Sequence, residues 1–348
     1  MRPVGLLSLA TAVPPYELAQ DRVGESARAI LGPQYPQFAR MAPVFENAGI
    51  RTRRSAAPLS WYLQPKGWKE RADAYLAAAP SLFEAAAKAA LEAAGLGGPD
   101  IDQIVTVSST GVVTPTLEAR CMGRLDFRPD AVRVPVFGLG CAGGVSGLAL
   151  AARLAAAEPG SRVLFVCLEL CTLSFRMRAP SKADIVATAL FGDGAAACVL
   201  RTGDDGFAQV TGAAEHTWPD SLDVMGWRVD DDGLGVIFAQ SIPAFVRRRL
   251  RPAMEAMLAR QGLAVEDVDR FLCHPGGAKV ISALETALTL GQGALDHERE
   301  VLTRYGNMSA PTVLFVLDRA RKAGLPRRSV LTALGPGFTA SSAALAAA

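Results

Sequence analysis

An internal repeat is the feature that most constrains how this chain can fold. Two stretches of the sequence match without gaps at an offset of 262 − 95 = 167 residues. The matched positions are Gly95 with Gly262, 100–102 (Asp-Ile-Asp) with 267–269 (Asp-Val-Asp), and 163–164 (Val-Leu) with 330–331 (Val-Leu). Because the offset is kept over roughly seventy residues, we infer that one structural unit is duplicated.

Apolar runs alternate with helical stretches along both halves. The first half has predicted strands at 4–10, 104–107, 134–137 and 163–168, and the second half has them at 208–213, 270–273, 330–333 and 339–345. This alternation predicts an α/β fold, with the apolar run at 134–137 as a buried strand. The turn residues Asp204, Asp205 and Gly206 are the candidate boundary. The halves are then 1–203 and 204–348, and a polar loop is predicted from the end of the strand at 208–213 through 230–233.

One reactive side chain, Cys141, lies in a glycine-rich turn. The turn follows the predicted strand at 134–137 and precedes a helical pattern that begins near Val145. A thiol at a helix N-terminus is near the positive end of the helix dipole, which favours the thiolate. The alternative for a single cysteine is a small buried side chain in a tight turn.

The repeat places two further residues beside this turn. His274 corresponds to Val107 (274 − 167 = 107) at the carboxyl end of a strand, and Asn307 corresponds to Gly140 (307 − 167 = 140). Ligands of open α/β sheets bind outside the carboxyl ends of the strands, so Cys141, His274 and Asn307 are expected to converge. Separately, each has an ordinary explanation, as a buried thiol, a core histidine or a helix N-cap.

A converging cysteine, histidine and asparagine indicate acyl chemistry. The thiolate can carry an acyl group, while the imidazole and the amide stabilise an enolate or oxyanion. This suits decarboxylation of a malonyl thioester followed by carbon–carbon bond formation. A Cys-His-Asn hydrolase has the same chain order and is the second interpretation. A protein that only binds a ligand is the third.

Composition argues against several other classes. The 348 residues include 36 basic and 34 acidic side chains, which disfavours nucleic acid or a polybasic membrane surface as a partner. The six cysteines form no CxxC pair and the three histidines show no metal-ligand spacing, so neither a disulfide framework nor a metal is predicted. No uninterrupted apolar run has membrane-spanning length, and no signal peptide is recognised. A reducing cytoplasm is the expected location.

Several motifs, in this order along nearly the whole chain, resemble type III polyketide synthases, the chalcone synthase-like branch of the thiolase superfamily. They are GCAGG around Cys141, ALFGDGAAA at 189–197, HPGG at 274–277, GNMSAPTVLFVLD at 306–318 and GPG at 335–337. The resemblance implies a thiolase-like duplicated fold with two pseudo-symmetric halves in αβαβα layers. It implies a homodimer that uses free CoA thioesters without metal or redox cofactor. Ketoacyl synthase III enzymes share the trio but usually have Gln-Ala-Asn after the histidine.

The resemblance also implies roles for individual residues. Cys141 would carry the starter and the growing chain, His274 and Asn307 would bind the malonyl-CoA carbonyl, and Phe191 would separate the CoA tunnel from the cavity. CoA contacts are expected from Arg51, Arg53 and Arg54, an arginine cluster that is otherwise a solvated loop or a phosphate clamp. The other residues expected to bind substrate are Ser109, Thr110, Cys171, Ser174, Trp227, Val236, Ser309, Gly335, Pro336 and Gly337.

Departures from the plant pattern bear on the substrate. Val236 stands where plant enzymes have a second gatekeeper phenylalanine, and Trp227 occupies a position that is small in the plant cavity wall. The stretches GIRTRR and VPVFGLGCAGG look more like bacterial enzymes that extend long fatty acyl-CoA starters to alkylpyrones or alkylresorcinols. The alternatives are an enzyme that uses malonyl-CoA alone or short or aromatic starters (tetrahydroxynaphthalene or phloroglucinol type), and a ketoacyl synthase III-like condensing enzyme.

Overall fold

The computed structural model describes residues 2–178, 180–203 and 205–348, and alternating strands and helices fill both halves. The strands are β1 (Val4–Ala12), β2 (Tyr16–Ala19), β3 (Thr52–Ser55), β4 (Gln103–Val107), β5 (Val132–Val136), β6 (Arg162–Leu170), β7 (Asp193–Thr202), β8 (Ala208–Thr217), β9 (Met225–Asp230), β10 (Gly233–Phe238), β11 (Arg270–Cys273), β12 (Arg328–Gly335) and β13 (Thr339–Ala347). The helices are α1 (Gln20–Leu31), α2 (Phe38–Met41), α3 (Pro43–Asn47), α4 (Leu59–Tyr62), α5 (Trp68–Ala93), α6 (Leu117–Cys121), α7 (Gly143–Ala157), α8 (Lys182–Leu190), α9 (Ile242–Ala259), α10 (Ala278–Ala287), α11 (Asp296–Tyr305) and α12 (Thr312–Gly324).

A nine-stranded mixed sheet runs through the molecule in the order β11-β12-β13-β8-β1-β7-β6-β4-β5. The antiparallel pairing of β1 with β8 joins its two parts. On one side of this seam β4 and β6 are parallel, and on the other side β11 and β12 are parallel. The two parts of the sheet therefore have matching strand directions, as the repeat predicts.

Three layers of helix enclose the two parts of the sheet. Between them, α7 and α12 pack in one apolar core with Val105 of β4 and Leu272 of β11. The long helix α5 covers the outer face of the first part, and α9 and α10 cover the outer face of the second. The predicted αβαβα layering is confirmed. Helix α7 is buried nearly all round. The stretch Gly140–Ala157 is long and apolar enough on average to cross a membrane, although Ser146 and Arg153 interrupt it, and it is 72% buried within the fold.

The repeat predicts the wrong register for one pair of strands. Val163 lies beside Gln103 in the first sheet, whereas Ser329 lies beside Arg270 in the second, so the structural offset there is 329 − 163 = 166. Accordingly, Val163 faces the central core and Val330 faces the outer one. A shift of one residue moves every side chain of a strand to the other face, so the Val-Leu match is not a structural equivalence.

Two further expectations were wrong. The run at 134–137, predicted to be buried, lies in and just after the edge strand β5, and Phe137 is 56% exposed. The polar loop predicted from 213 through 230–233 instead contains the strand β9, and only its end at 230–233 is a turn, where Asp230 pairs with Gly233 in the β9–β10 hairpin. The predicted boundary falls at Asp204, outside the described residues.

Candidate active site

The turn that holds Cys141 is fixed from two sides. The hydroxyl of Ser109, at the end of β4, accepts hydrogen bonds from the backbone amides of Gly138 and Gly140 at 3.0 and 3.3 Å. On the other side, a Cβ added at Gly140 would lie 2.7 Å from Cδ of Pro336, so this position has no room for a side chain. Ser109 is 1% exposed. Its hydroxyl holds the turn, and its predicted role in substrate binding stays a prediction.

The loop Gly335-Pro336-Gly337 also packs against the Cys141 turn. A Cβ at Gly335 would meet the carbonyl oxygen of Leu139 and the side chain of Ala142 at 2.6 Å each. The carbonyl of Gly337 accepts a hydrogen bond from Ser221. These contacts show the loop as a support for the nucleophile turn, beyond the cavity-shaping role that the resemblance implies.

His274 and Asn307 reach the same place as Cys141, as predicted from the repeat. All three side chains line one chamber, together with Met225, Phe238 and other residues. Sγ of Cys141 lies 4.0 Å from Oδ1 of Asn307. This convergence follows from tight packing, because a Cβ at Gly144 of α7 would lie 2.2 Å from the carbonyl oxygen of Ala310.

Hydrogen bonds orient the Asn307 amide and leave the His274 ring free. Oδ1 of Asn307 accepts from the Ser309 amide at 2.8 Å, and Nδ2 donates to the Gly276 carbonyl at 3.3 Å. An amide nitrogen carries two hydrogens, so one remains for a ligand. Neither ring nitrogen of His274 has a partner within the described part of the chain, although the ring is only 5% exposed. Both groups can thus donate to a substrate oxygen.

Burial keeps the thiol and the imidazole neutral when each is considered alone. It raises the pKa of the Cys141 thiol to about 11, although hydrogen bonds with Ser309 and Asn307 act in the opposite direction. It lowers the pKa of His274 to about 3. The predicted preference for the thiolate at a helix end is therefore outweighed by desolvation.

An apolar pocket lies beyond Phe191. Cys171, Ser174 and Val236, three of the predicted cavity residues, line it with Phe191. The backbone of Phe191 forms a bridge with Asn307, and its ring packs edge-on to Trp227 at 6.2 Å between centroids. Phe191 therefore stands between the chamber and this pocket. The other apolar side chains around the pocket are Leu18, Val23, Ala27, Ile30, Leu59, Leu63 and Phe175.

A second cavity is lined by Thr110, Ser174 and Trp227 among others. Thr110 donates to a buried carboxylate, Glu169, at 2.7 Å, and the Ser109 amide donates to the same group. Burial raises the pKa of Glu169 to about 8. Glu169 was not among the predicted site residues, although a charged residue inside the apolar run 163–170 was a usable signal.

The basic residues at the entrance differ from those predicted. A wide cleft, lined by Arg40, Lys182 and Lys279, shares Phe238, Gly276 and Val280 with the catalytic chamber. The three cations come from separate segments, so no local motif marks them in the sequence.

None of the three arginines predicted to contact CoA lines this cleft. Arg53 is 2% exposed, and Arg54 forms an ion pair with Glu17 at 2.8 Å. Arg51 is exposed, and its backbone amide donates to Thr303. Strand β3 directs Arg53 inward and Arg54 outward, so these adjacent arginines cannot act together as one clamp.

Comparisons with known proteins agree with this geometry. The model for "Chalcone and stilbene synthases, N-terminal domain" matches residues 60–204, and the model for the C-terminal domain matches 209–346. The chain therefore belongs to the chalcone and stilbene synthase family, within the type III polyketide synthases of the thiolase superfamily. It is an enzyme of the class that condenses malonyl-CoA by decarboxylation, which excludes the hydrolase and binding-only interpretations.

Bacterial enzymes are among the similar proteins. A 1,3,6,8-tetrahydroxynaphthalene synthase of Streptomyces peucetius is 38% identical over 97% of this chain and 92% of its own length. A putative chalcone synthase of Bacillus subtilis is 34% identical over 96% of each chain. The crystal structure of the tetrahydroxynaphthalene synthase of Streptomyces coelicolor has a TM-score of 0.93 at 28% identity and covers 99% of both chains.

Proposed function

We propose that this polyketide synthase loads a long-chain fatty acyl-CoA starter and extends it with malonyl-CoA to an alkylpyrone or alkylresorcinol. The observation that supports a long starter is the pocket beyond Phe191, whose wall is mostly aliphatic and aromatic. Each buried methylene is worth about 0.8 kcal/mol, so such a wall favours an alkyl chain over a carboxylate or a short acyl group.

Loading would begin in the entrance cleft. Arg40, Lys182 and Lys279 line the wide opening, where their charges suit the phosphates of CoA. The thioester then extends past Phe238 into the chamber. Proton transfer from Cys141 to His274 creates both charges together, and Sγ attacks the thioester carbonyl. The acyl group becomes bound to Cys141, and CoA leaves as its thiol with the proton.

Extension would use the same two donors on malonyl-CoA. His274 and the free N–H of Asn307 hydrogen-bond the thioester carbonyl while CO₂ is lost and an enolate forms. The enolate carbon attacks the acyl carbonyl on Cys141, and the C–S bond breaks to regenerate the thiolate. We propose that these steps need no metal or redox cofactor, since the protein groups supply the nucleophile, the base and the oxyanion donors.

The second candidate is an enzyme of the tetrahydroxynaphthalene type, which would use malonyl-CoA alone. It is favoured by the similarity to tetrahydroxynaphthalene synthases over nearly the whole chain. The deciding experiment incubates the enzyme with malonyl-CoA and acyl-CoA starters of increasing length, and identifies products by mass. Products that retain long starters support our proposal. Products from malonyl-CoA alone, or only from short or aromatic starters, would overturn it.

We also propose a homodimer and a cytoplasmic location. Val132 and Phe137, at the two ends of the edge strand β5, are 54% and 56% exposed, and Val112 in the loop after β4 is 60% exposed. Apolar side chains beside an open strand edge suit a second copy of the chain. The location is proposed because Cys141 needs to remain a reduced thiol, and all six cysteines are free.

A further inference from the structure

We propose that Arg53 is a positioning residue that holds the gatekeeper Phe191 and the catalytic Asn307 in place. This inference rests on the role proposed above for Asn307. It assigns to Arg53 a function in the turnover of bound substrate instead of the CoA binding expected from the sequence.

The guanidinium of Arg53 closes the carboxyl end of α8. Nη1 donates to the carbonyls of Thr188 and Phe191 at 2.7 and 2.9 Å, and Nη2 donates to that of Ala189 at 2.9 Å. The last carbonyls of a helix have no partner within the helix, and they carry partial negative charge. A planar, permanently charged fork matches three such carbonyls, whereas a lysine ammonium has no comparable geometry.

The same end of α8 is bonded directly to the catalytic asparagine. The backbone N–H of Asn307 donates to the backbone carbonyl of Leu190 at 2.8 Å, and the backbone N–H of Gly192 donates to the backbone carbonyl of Asn307 at 3.0 Å. The residue between them, Phe191, is thus bonded to Arg53 through its carbonyl and flanked by bonds to Asn307. Any displacement of this segment moves the gate and the catalytic amide together.

Close packing makes this arrangement rigid. A Cβ added at Gly192 would lie 2.2 Å from the Tyr305 carbonyl oxygen and 3.2 Å from Cβ of Arg53. Gly306, just before Asn307, has a positive φ of 68°, and a Cβ there would lie 3.6 Å from Cβ of Arg53. The stem of Arg53 therefore fills the space between the two backbone segments.

The surroundings of Arg53 fit positioning and not phosphate binding. Among the described residues it forms no ion pair with a carboxylate, and its fourth partner is Oε1 of Gln20. Burial lowers the pKa of Arg53 to about 10, so it stays charged at neutral pH. Arg53 is 2% exposed, its guanidinium is directed at the helix end, and it lines the apolar pocket but not the cleft that holds Arg40, Lys182 and Lys279.

The test measures malonyl-CoA decarboxylation by Arg53→Lys. We expect kcat to fall by about 10- to 100-fold, because a misplacement near 1 Å at a catalytic group has effects of this size. KM for malonyl-CoA should stay within about twofold, since CoA contacts are unchanged. The matched control is Arg54→Gln, which removes the adjacent surface charge and should change neither constant.

A second variant covers the case in which Arg53→Lys fails to fold. Gln20→Ala removes one partner of Arg53 and touches neither Phe191 nor Asn307, so it should lower kcat in the same direction by a smaller factor. The proposal is overturned if Arg53→Lys raises KM about tenfold with kcat intact, as a CoA ligand would. It is also overturned if the folded Arg53→Lys or Gln20→Ala enzyme keeps both constants.

Asn307→Ala in the same assay separates this inference from the proposed function. If Asn307→Ala decarboxylates at the wild-type rate, the role of Asn307 is wrong, and with it the premise. If Asn307→Ala is inactive while Arg53→Lys is fully active, only the inference about Arg53 fails.

Discussion

The two halves of the sheet end in opposite ways. The first half ends in β5, whose edge is open and carries the exposed Val132. The second half ends in β11, and α11 stands where a copy of β5 would be expected, because 132 + 167 = 299 falls within Asp296–Tyr305. The two halves of the sheet are therefore similar in strand order but differ at their outer edges. The helix α11 covers the edge at β11, whereas the edge at β5 is open.

The two edges also differ in how they support the neighbouring catalytic residue, Cys141 beside β5 and His274 beside β11. Thr106 of β4 pairs with β5, but its counterpart Cys273 has no strand on that side. Instead, Oε1 of Glu298 on α11 accepts a hydrogen bond from the Cys273 amide at 2.7 Å. A buried carboxylate therefore replaces a strand next to His274. In the first half, the open strand β5 leads directly into the Cys141 turn.

The comparison first predicts that the two halves carry separable steps. Cys141→Ala removes the acyl acceptor, so polyketide formation should fall by at least about a thousandfold. Malonyl-CoA decarboxylation should persist, because His274 and Asn307 of the second half are intact. Product mass and CO₂ release measure the two steps. Asn307→Ala should lower both, and full polyketide formation by Cys141→Ala would contradict the mechanism.

The buried carboxyls predict a fall in stability with rising pH. Burial raises the pKa of Glu169 to about 8 and that of Glu298 to about 7, above the ordinary value of 4.5. Between pH 4.5 and these values the folded state binds more protons than the unfolded state, so stability is greatest at low pH in that window and is lost as pH rises.

Neutral amides at these positions should reduce this pH dependence. Glu169→Gln and Glu298→Gln should each reduce the loss of unfolding free energy between pH 5 and 8 by roughly 1 kcal/mol or more. The fall in Tm over this window should become correspondingly smaller. Thermal unfolding in a pH series measures it. The control is Glu285→Gln, because pairing with Arg299 lowers the pKa of Glu285. A wild-type Tm that rises from pH 5 to 8 would contradict the prediction.

A truncation at Glu298 should destabilise the closed edge. Glu298→Ala leaves the Cys273 amide without its acceptor, and an unsatisfied buried donor costs about 1–3 kcal/mol. Glu298→Gln retains an acceptor oxygen and should recover most of that loss at neutral pH. Urea unfolding of the two variants measures the difference. Equal stability of Glu298→Ala and wild type would show that the helix closes this edge without help from the carboxylate.

The repeat and the strand–helix alternation predicted a duplicated α/β fold and the convergence of Cys141, His274 and Asn307, whereas the αβαβα layering was implied by the resemblance of the motifs to a known family. This was possible because a glycine-rich turn and the strand–helix alternation are local patterns, and the repeat carries one half onto the other. The register of β12 was missed because a one-residue slip leaves a Val-Leu match intact while it reverses the buried face.

The position of the charges depended on contacts between distant segments. Arg53 and Arg54 look equivalent in the sequence, but pairing of β3 with β2 buries one and exposes the other. The entrance cations Arg40, Lys182 and Lys279 meet only in the folded chain. Because side chains alternate between the two faces of a strand, the sequence could have predicted that Arg53 and Arg54 face opposite ways. No local pattern identifies Arg40, Lys182 and Lys279 as neighbours.

The open edge of β5 yields the last prediction. Phe137→Asp places a charge where a second copy should bury an aromatic ring, so the dimer dissociation constant should rise at least about tenfold, equivalent to 1.4 kcal/mol. Sedimentation equilibrium measures it. The matched control is Val229→Asp on β9, which is 69% exposed and belongs to the separate two-stranded β9–β10 sheet. If both variants weaken association equally, or if the wild-type protein is a monomer at micromolar concentration, the open edge is not the dimer surface.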